Sequence, residues 1–574
     1  MRRGVARLLL LAAASCFLTT AAVAVSAGQA GAQEPSAAAL AQPAGAGYLW
    51  SSGPDPASGV AAHPLRLHRN WINLTKLSIV LLAAVLLTWE IFLRRSGRTE
   101  SHRGLRETLL LALSIGALLA WWNFGYFRFP GYIHAHEVFN HYIGSKYFVE
   151  LGYNGLYECN AVADLEAGMG PTVRQRQITN LDTYFLESTA AIVSDPGRCT
   201  RRFSHSRWSD FKHDVGWFRS RVPPETWEAL QRDHGYNSTP AWGFLGSLLA
   251  HTGPASTGQI IALTLIDPVL ILLAWACVSW TFGWRGTCVA VIYWGTNFPS
   301  EFNWTGGALL RYDWHAAALI GLCLMKRERP ASAGFLLGFA ALVRLFPITL
   351  LFGIGLKALL GMIRGRRFFL STEHRRIAMG ALLAAAMLVP ASSWVAGGAG
   401  SWLEFTRNMS LHLGTPASNT VGLKSLLSYD HDARLEVVQT READPGSVWK
   451  QARHEAFEGR RFLFWGLALG YLWLLVHAVG GVEDWAAAVL GVGTLVVFTE
   501  SACYYMSILM LFGLLSLRWE SIGAALCWLS VLMWVAAAAW NEFDQIFVAT
   551  SAALFAFVVL ATALARGRPL ANPS

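Results

Sequence analysis

Apolar residues occur in long runs along the chain, and polar or charged segments separate these runs. A helix needs about 20 predominantly apolar residues to cross a bilayer, so the pattern predicts membrane-spanning helices. The runs lie at residues 77–93, 107–127, 258–282, 286–300, 312–325, 331–347, 348–363, 377–396, 461–480, 485–500, 504–517, 520–540 and 545–565. We therefore expect an all-α, polytopic membrane protein with about 13 transmembrane helices.

Two polar segments between the runs are long, at residues 128–257 and 397–460. Lys and Arg concentrate instead in short connections, which is typical of the cytoplasmic side of a membrane protein. These cations include Arg94, Arg95, Lys326, Arg327, Arg364, Arg366 and, in the last segment 566–574, Arg566 and Arg568. The charge pattern predicts that both long loops are extracytoplasmic and that residues 566–574 form a cytoplasmic tail.

The N-terminus has the features of a signal peptide. Arg2 and Arg3 precede an apolar stretch, and Ala30-Gly31-Ala32 has the small-x-small pattern of a cleavage site. Residues 1–32 are therefore predicted to be a signal peptide or an uncleaved N-terminal helix. Residues 33–76 are rich in Ala, Gly and Pro and predict an extracytoplasmic linker. An additional helix at 77–93 would then precede the main transmembrane domain at 107–565.

Composition narrows the class further. The chain has 574 residues, 54% of them hydrophobic, which excludes a single soluble core. The formal net charge of +9 requires no nucleic acid, because most of the excess cations lie in the short loops that set topology. Of the eight cysteines, only Cys159 and Cys199 fall in a long polar loop. An extracytoplasmic loop permits a disulfide between them.

Glu137 is the candidate catalytic residue of the first long loop. A carboxylate directly after a membrane helix can act as a general base at the bilayer surface, taking a proton from an acceptor hydroxyl. His134, His136 and His141 suggest zinc, but their spacing does not follow that of zinc proteases, and we predict no metal site. The reserve candidates for the base are Asp164, Glu166 and Asp182.

Arg344 is a cation inside an apolar run, near the helix end that is predicted to face away from the cytoplasm. A cation buried in hydrocarbon is costly and needs an anionic partner. One candidate partner is a lipid-linked phosphate. The alternative is a buried acid of the chain itself, such as Asp267 or Glu500.

Several short segments resemble the C-type (GT-C) glycosyltransferases, and most of all the family 87 mannosyltransferases that use polyprenyl-phosphate-mannose. The resemblance covers roughly residues 105–430. The family usually has Asp where this chain has Glu137, and 311–315 replaces a Gly-Gln-type motif. The insertion between Tyr157 and Gly235 is longer than usual in the family, and the helix at 77–93 and the signal-like N-terminus are additional. The matching positions are Glu137, Gly152, Tyr157 and the segments 235–242, 333–347 and 419–427.

The resemblance implies a GT-C-like helix bundle in the inner membrane with its active site on the periplasmic or extracytoplasmic face. It implies transfer of a hexose, mannose by default, from a polyprenyl-phosphate donor to a hydroxyl of a lipid, glycan or protein, without a cofactor. Alternatives are a transporter or flippase of lipid-linked sugars and an extracytoplasmic glycan polymerase or ligase. The candidate residues are Glu137 as base, Arg344, Arg311 and Lys424 for the donor phosphate, and Tyr142, Tyr157, Asn419 and Thr420 for substrate.

Overall fold

The computed structural model describes residues 69–127, 132–366, 369–415, 417–441, 445–540 and 542–567. The predicted signal peptide, most of the predicted linker and residues 568–574 lie outside these ranges. The first described helix is Arg69–Arg95, so residues 69–76 are helical and do not belong to a linker. Lys76 is buried and donates a hydrogen bond to Asn123 Oδ1 at 2.7 Å, which attaches this helix to the rest of the protein.

Helices dominate the described residues, and eight of them are long and apolar enough to cross a membrane. This agrees with the predicted all-α class of membrane protein. The eight spans are Trp71–Arg95, Arg103–Trp121, Thr257–Phe282, Ile348–Gly365, Thr372–Val395, Gly446–Val479, Glu520–Ala539 and Phe543–Ala565.

The remaining five predicted spans form shorter or interrupted helices, so the count of about 13 is not confirmed. A helix of 14 residues is about 21 Å long, less than the ~30 Å of a bilayer core. Trp284–Thr296 is buried at nearly every position, which explains why its sequence is apolar on all sides. The five regions contain Trp284–Thr296, Asp313–Lys326, Pro330–Val343, Asp484–Gly491 with Gly493–Phe498, and the 3₁₀ helix Cys503–Leu511 with Phe512–Leu515.

Small residues bring the helices Pro330–Val343 and Thr372–Val395 into close contact. A Cβ atom at Gly334 would lie 2.0 Å from the carbonyl oxygen of Ile377, and one at Gly380 would lie 2.0 Å from that of Ala331. Only glycine permits this separation of the two backbones. The packing fixes the end of the first helix, where Arg344 follows.

The predicted first long loop, 128–257, is folded where it is described. The disulfide joins Cys159 to Cys199, the pair singled out in the sequence, with their Cα atoms 5.3 Å apart. An antiparallel pair of strands, Gln177–Thr179 and Leu186–Ser188, lies among the helices. The helices are Ala135–Lys146, Phe148–Leu151, Leu156–Glu166, Gly170–Gln175, Ala190–Ser194, Gly197–Thr200, His205–Arg219, Pro224–Leu230 and Pro240–Ala250.

The predicted second long loop, 397–460, is shorter than expected because the helix Pro445–Val479 begins inside it. Before that helix lie Gly400–Gly414, Leu423–Leu427 and Leu435–Arg441. The strand Thr420–Val421 pairs with Ser501–Ala502 in antiparallel register. This pairing connects the second loop to the 3₁₀ helix that begins at Cys503.

Candidate active site

Glu137 lies in the first turn of the helix Ala135–Lys146, where the N-terminal dipole favours a negative charge. The residue before this helix is fixed to the segment around Gly307, because His134 N donates a hydrogen bond to Gly307 O at 2.9 Å. Gly307 has a φ of +66°, and a Cβ there would lie 2.0 Å from Tyr132 O. Glycine is therefore needed where the segment before Arg311 meets the segment before Glu137.

Arg311 is the closest cation to Glu137 in this region. Its Nη1 lies 3.4 Å from Glu137 Oε2, and its guanidinium lies over the Tyr504 ring, 4.7 Å from the centroid. Asp267 positions this segment: its Oδ2 accepts from Arg311 N at 2.8 Å and its Oδ1 accepts from Tyr312 N at 3.0 Å. Asp267 is thus a backbone anchor for Arg311.

Arg344 is buried at the end of the helix Pro330–Val343. Its guanidinium lies 5.5 Å from the centroid of the Trp242 ring, and the His141 ring contacts the same indole at 5.0 Å. The alternative partners considered from the sequence form other contacts. Asp267 binds backbone amides, and Glu500 pairs with Arg453 and with Lys424 at 3.5 Å.

His141 lies one turn after Glu137 on the same helix, with Nδ1 3.7 Å from Glu137 Oε2. The same Nδ1 is 2.9 Å from the carbonyl oxygen of Glu137. A carbonyl only accepts hydrogen bonds, so Nδ1 carries the proton of the neutral ring and Nε2 carries a lone pair. His141 Nε2 is therefore an acceptor.

Burial and charge set the protonation of these two groups. Burial acts to raise the pKa of Glu137, but the positive charge of Arg311 and the nearby histidines outweighs it and lowers that pKa to about 2. Burial, aided by the charges of Arg344 and Arg311 and opposed by Glu137, lowers the pKa of His141 to about 4. At neutral pH Glu137 is therefore a carboxylate and His141 an uncharged imidazole.

Five side chains here, named the Glu137 cluster, leave buried polar atoms without a hydrogen-bond partner among the described residues. Three of these atoms are donors and three are acceptors. Buried polar atoms are normally paired, because burying one alone costs about 1–3 kcal/mol. The atoms are Arg311 Nη2, Arg344 Nε and Nη2, Glu137 Oε2, His141 Nε2 and Asp313 Oδ2. Such a set favours a ligand with both anionic oxygens and hydroxyl groups.

Tyr142 and Tyr157, which were predicted to bind substrate, form hydrogen bonds within the first loop. Tyr142 and Tyr157 are completely buried. The Tyr142 hydroxyl donates to Gly253 O at 2.9 Å, and the Tyr157 hydroxyl accepts from Gly235 N at 3.0 Å. Both hydroxyls thus hold the first loop together.

The other predicted residues gather around Glu500, in a second group named the Glu500 cluster. Thr420 Oγ1 donates to Glu500 Oε1 at 3.2 Å, and Ser425 Oγ donates to the same oxygen at 2.9 Å. Asn419 contributes its carbonyl, which accepts from Cys503 N at 3.0 Å. The Glu500 cluster consists of Glu500, Thr420, Lys424, Ser425 and Arg453.

The reserve candidates for the base all have partners of their own. Asp164 is completely buried and accepts from Arg176, Arg219 and Trp227. Glu166 accepts from Lys212 and Trp208, and Asp182 accepts from Asn154. Sequence reasoning missed Asp313, although it lies two residues after Arg311 in the same short segment.

Among the described residues, no group of three or more His, Cys, Asp or Glu side chains is arranged to hold a metal ion. No protein-family model, curated protein or solved structure matches the chain.

Proposed function

We propose that the protein is a membrane glycosyltransferase that moves a hexose, mannose by default, from a polyprenyl-phosphate carrier to a hydroxyl of a lipid, glycan or protein. The observation that supports this most is the mixture of unpartnered donors and acceptors in the Glu137 cluster. The arginine donors suit a phosphate, and the acceptors suit the hydroxyl groups of a sugar. A site for phosphate alone has no use for three acceptors.

Glu137 is the proton acceptor in this proposal. It keeps 22% of its side chain exposed, so an acceptor hydroxyl can reach it from outside. The acceptor oxygen bonds to the anomeric carbon as its proton passes to Glu137. The bond between that carbon and the phosphate oxygen breaks, and polyprenyl phosphate leaves with the electron pair. Arg311 and Arg344 stabilise the charge that grows on the departing phosphate.

The low pKa of Glu137 makes it a weak base when the site holds no anion. A donor phosphate beside Arg311 offsets the charge that lowers this pKa. Donor binding therefore raises the affinity of Glu137 for the acceptor's proton, so the base becomes effective after the donor has bound. The carrier's chain would remain in the bilayer beside the apolar helices. The predicted orientation puts the reaction on the extracytoplasmic face.

The test is to add radiolabelled polyprenyl-phosphate-mannose to sealed vesicles that contain the purified protein, with a membrane extract as the source of acceptor. The proposal expects the label to leave the carrier and polyprenyl phosphate to be released. A transporter or flippase would instead move intact donor between leaflets without releasing polyprenyl phosphate, and that result would contradict the proposal.

A further inference from the structure

Asp313, like His141, is a residue of the Glu137 cluster that neither the predicted role of the base nor that of the phosphate clamp uses. It is the first residue of the helix Asp313–Lys326 and is buried, with 5% exposure. Its Oδ1 accepts from Trp314 N at 2.7 Å. Its Oδ2 is buried and has no hydrogen-bond partner among the described residues.

Two other buried aspartates of this protein have hydrogen-bond partners for both carboxylate oxygens. Asp544 also lies in the first turn of a helix, and both its oxygens accept backbone N–H groups, from Gln545 at 2.9 Å and Leu435 at 2.8 Å. Asp267 likewise binds two backbone amides. Asp313 alone of these three keeps an oxygen without a partner.

Asp313 lies two residues after Arg311, the guanidinium of which pairs with Glu137. The positive charges of Arg344 and Arg311 both act on the Asp313 carboxyl. No ion pair joins Asp313 to either residue among the described side chains, whereas Arg311 lies 3.4 Å from Glu137. The Asp313 carboxyl thus experiences the charge of both arginines without an ion pair to either, which leaves its free oxygen for a ligand group.

His141 supplies a second acceptor of the cluster that has no partner among the described residues. Its side chain is 9% exposed, and its Nε2 lone pair is buried without a partner among the described residues. Neither a carboxylate oxygen nor this lone pair can bind a phosphate oxygen, because all three are acceptors. Both can accept from a hydroxyl group.

We propose that Asp313 Oδ2 and His141 Nε2 bind hydroxyl groups of the donor sugar while Arg311 and Arg344 hold its phosphate. This inference rests on the proposed function and names the part of the site that selects the sugar. A site built to hydrogen-bond a hydroxyl rejects an analogue without it, because the buried acceptor is then left unpaired. Asp313 is thus a specificity-determining residue, distinct from the base.

The test combines a variant with a series of monodeoxy donors. We expect removal of one particular hydroxyl to lower kcat/KM of the wild-type protein by about 10- to 100-fold. Asp313→Asn replaces the acceptor Oδ2 by an NH₂ group, so it should lower kcat/KM for the full donor by a similar factor. For the matching deoxy donor the variant should act almost as the wild type does. That non-additivity identifies the contact between Asp313 and the hydroxyl.

Asp544→Asn is the matched control, because it changes a buried aspartate in the first turn of another helix. It should leave the ratio of full to deoxy donor unchanged. Asp313→Ser is a second variant, since it removes the free carboxylate oxygen without introducing an amide NH₂ group. It keeps the test informative should the Asn protein not fold.

Two outcomes would overturn the inference. One is an Asp313 variant that loses the same factor with every deoxy donor, and the other is one with unchanged kinetics. Failure of the proposed function gives a different result, because the wild-type protein itself would then transfer no sugar from any polyprenyl-phosphate donor.

Discussion

The Glu137 and Glu500 clusters both combine a carboxylate with cations, yet they differ in how completely their polar atoms are paired. Glu500 receives hydrogen bonds from Thr420, Ser425 and Arg453. Among the described residues, no buried polar atom of that cluster lacks a partner. Every residue of the Glu137 cluster has at least one such atom.

Under the proposed function, this difference separates a structural role for the Glu500 cluster from a binding role for the Glu137 cluster. In the Glu500 cluster, ion pairs and hydrogen bonds offset the free-energy cost of burying the charges. The cluster also joins the second loop to the strand before Tyr504. A cluster whose buried polar atoms lack hydrogen-bond partners keeps the free-energy cost of burying them until a ligand supplies those hydrogen bonds. Residue types alone do not distinguish the two, because both contain Glu and Arg.

The largest expected effect comes from exchanging the two carboxylates for amides. Glu137→Gln should lower transfer by about 10²–10⁴-fold, because an amide cannot take the acceptor's proton. Glu500→Gln should instead lower stability by about 1–3 kcal/mol, since Arg453 loses a charged partner, and leave turnover per folded molecule close to wild type. Initial rates and thermal unfolding are measured on the same purified proteins.

Near-normal turnover in a folded Glu137→Gln protein would remove Glu137 from the role of base. Strong loss of turnover in a folded Glu500→Gln protein would contradict the comparison itself, because the paired cluster would then take part in the reaction.

A smaller effect is expected from the two clusters' cations. Arg344→Ala should weaken donor binding by about 10- to 100-fold, since charge-assisted hydrogen bonds contribute about 1.5–3 kcal/mol. Lys424→Ala is the matched control. Lys424 is 42% exposed and already lies beside Glu500, so its loss should change donor binding little. Binding is measured by the donor-dependent shift in unfolding temperature.

Arg344→Lys should restore only part of the affinity, because Lys presents a point charge in place of a planar fork. Equal losses for Arg344→Ala and Lys424→Ala would show that both clusters bind the donor. An unstable Arg344→Ala protein whose folded fraction binds donor normally would make Arg344 structural.

The smallest expected effect is on the pH dependence of stability. It comes from His141, because the Glu137 cluster contains this histidine and the Glu500 cluster contains none. The unfolded chain protonates His141 near its ordinary pKa of about 6.5, whereas the folded protein does so only near pH 4. Between these values the unfolded state binds more protons, so stability rises with pH across this window. The unfolding temperature should therefore fall on acidification from pH 6.5 to pH 4, and His141→Gln should reduce the slope. An unchanged slope in that variant would show that His141 does not titrate in this way.

The apolar pattern predicted the long helices that meet the length and hydropathy of a membrane span, such as Glu520–Ala539. The count of about 13 spans is not confirmed where a helix is short and surrounded by protein. Trp284–Thr296 is the example, since hydropathy does not distinguish burial in protein from burial in lipid. The apolar run at 461–480 forms the second half of the longer helix Pro445–Val479, whose first turns are charged.

Part of the candidate site was predictable residue by residue. Glu137, Arg311 and Arg344 stand out in the sequence because a charge next to an apolar run needs an explanation. The structure pairs Arg311 with Glu137 and places Arg344 against Trp242, which also contacts His141. Tyr142 and Tyr157 stood out for their aromatic rings, but an aromatic residue in a motif is equally suited to a core. Asp313 also carries a charge at the start of an apolar run, but its significance lies in an oxygen without a hydrogen-bond partner among the described residues, which the sequence does not show.

The sequence by itself determined the helical membrane class, the residues of the disulfide and the charges near the apolar runs. Each of these follows from the composition of a local segment. Only the tertiary structure decided which charges are paired: Asp267 binds the backbone of Arg311, and Arg453 pairs with Glu500. It also decided that six buried polar atoms of the Glu137 cluster have no hydrogen-bond partner among the described residues. Pairing depends on distances of 3–4 Å between segments far apart in the chain, and local composition contains no information about such distances.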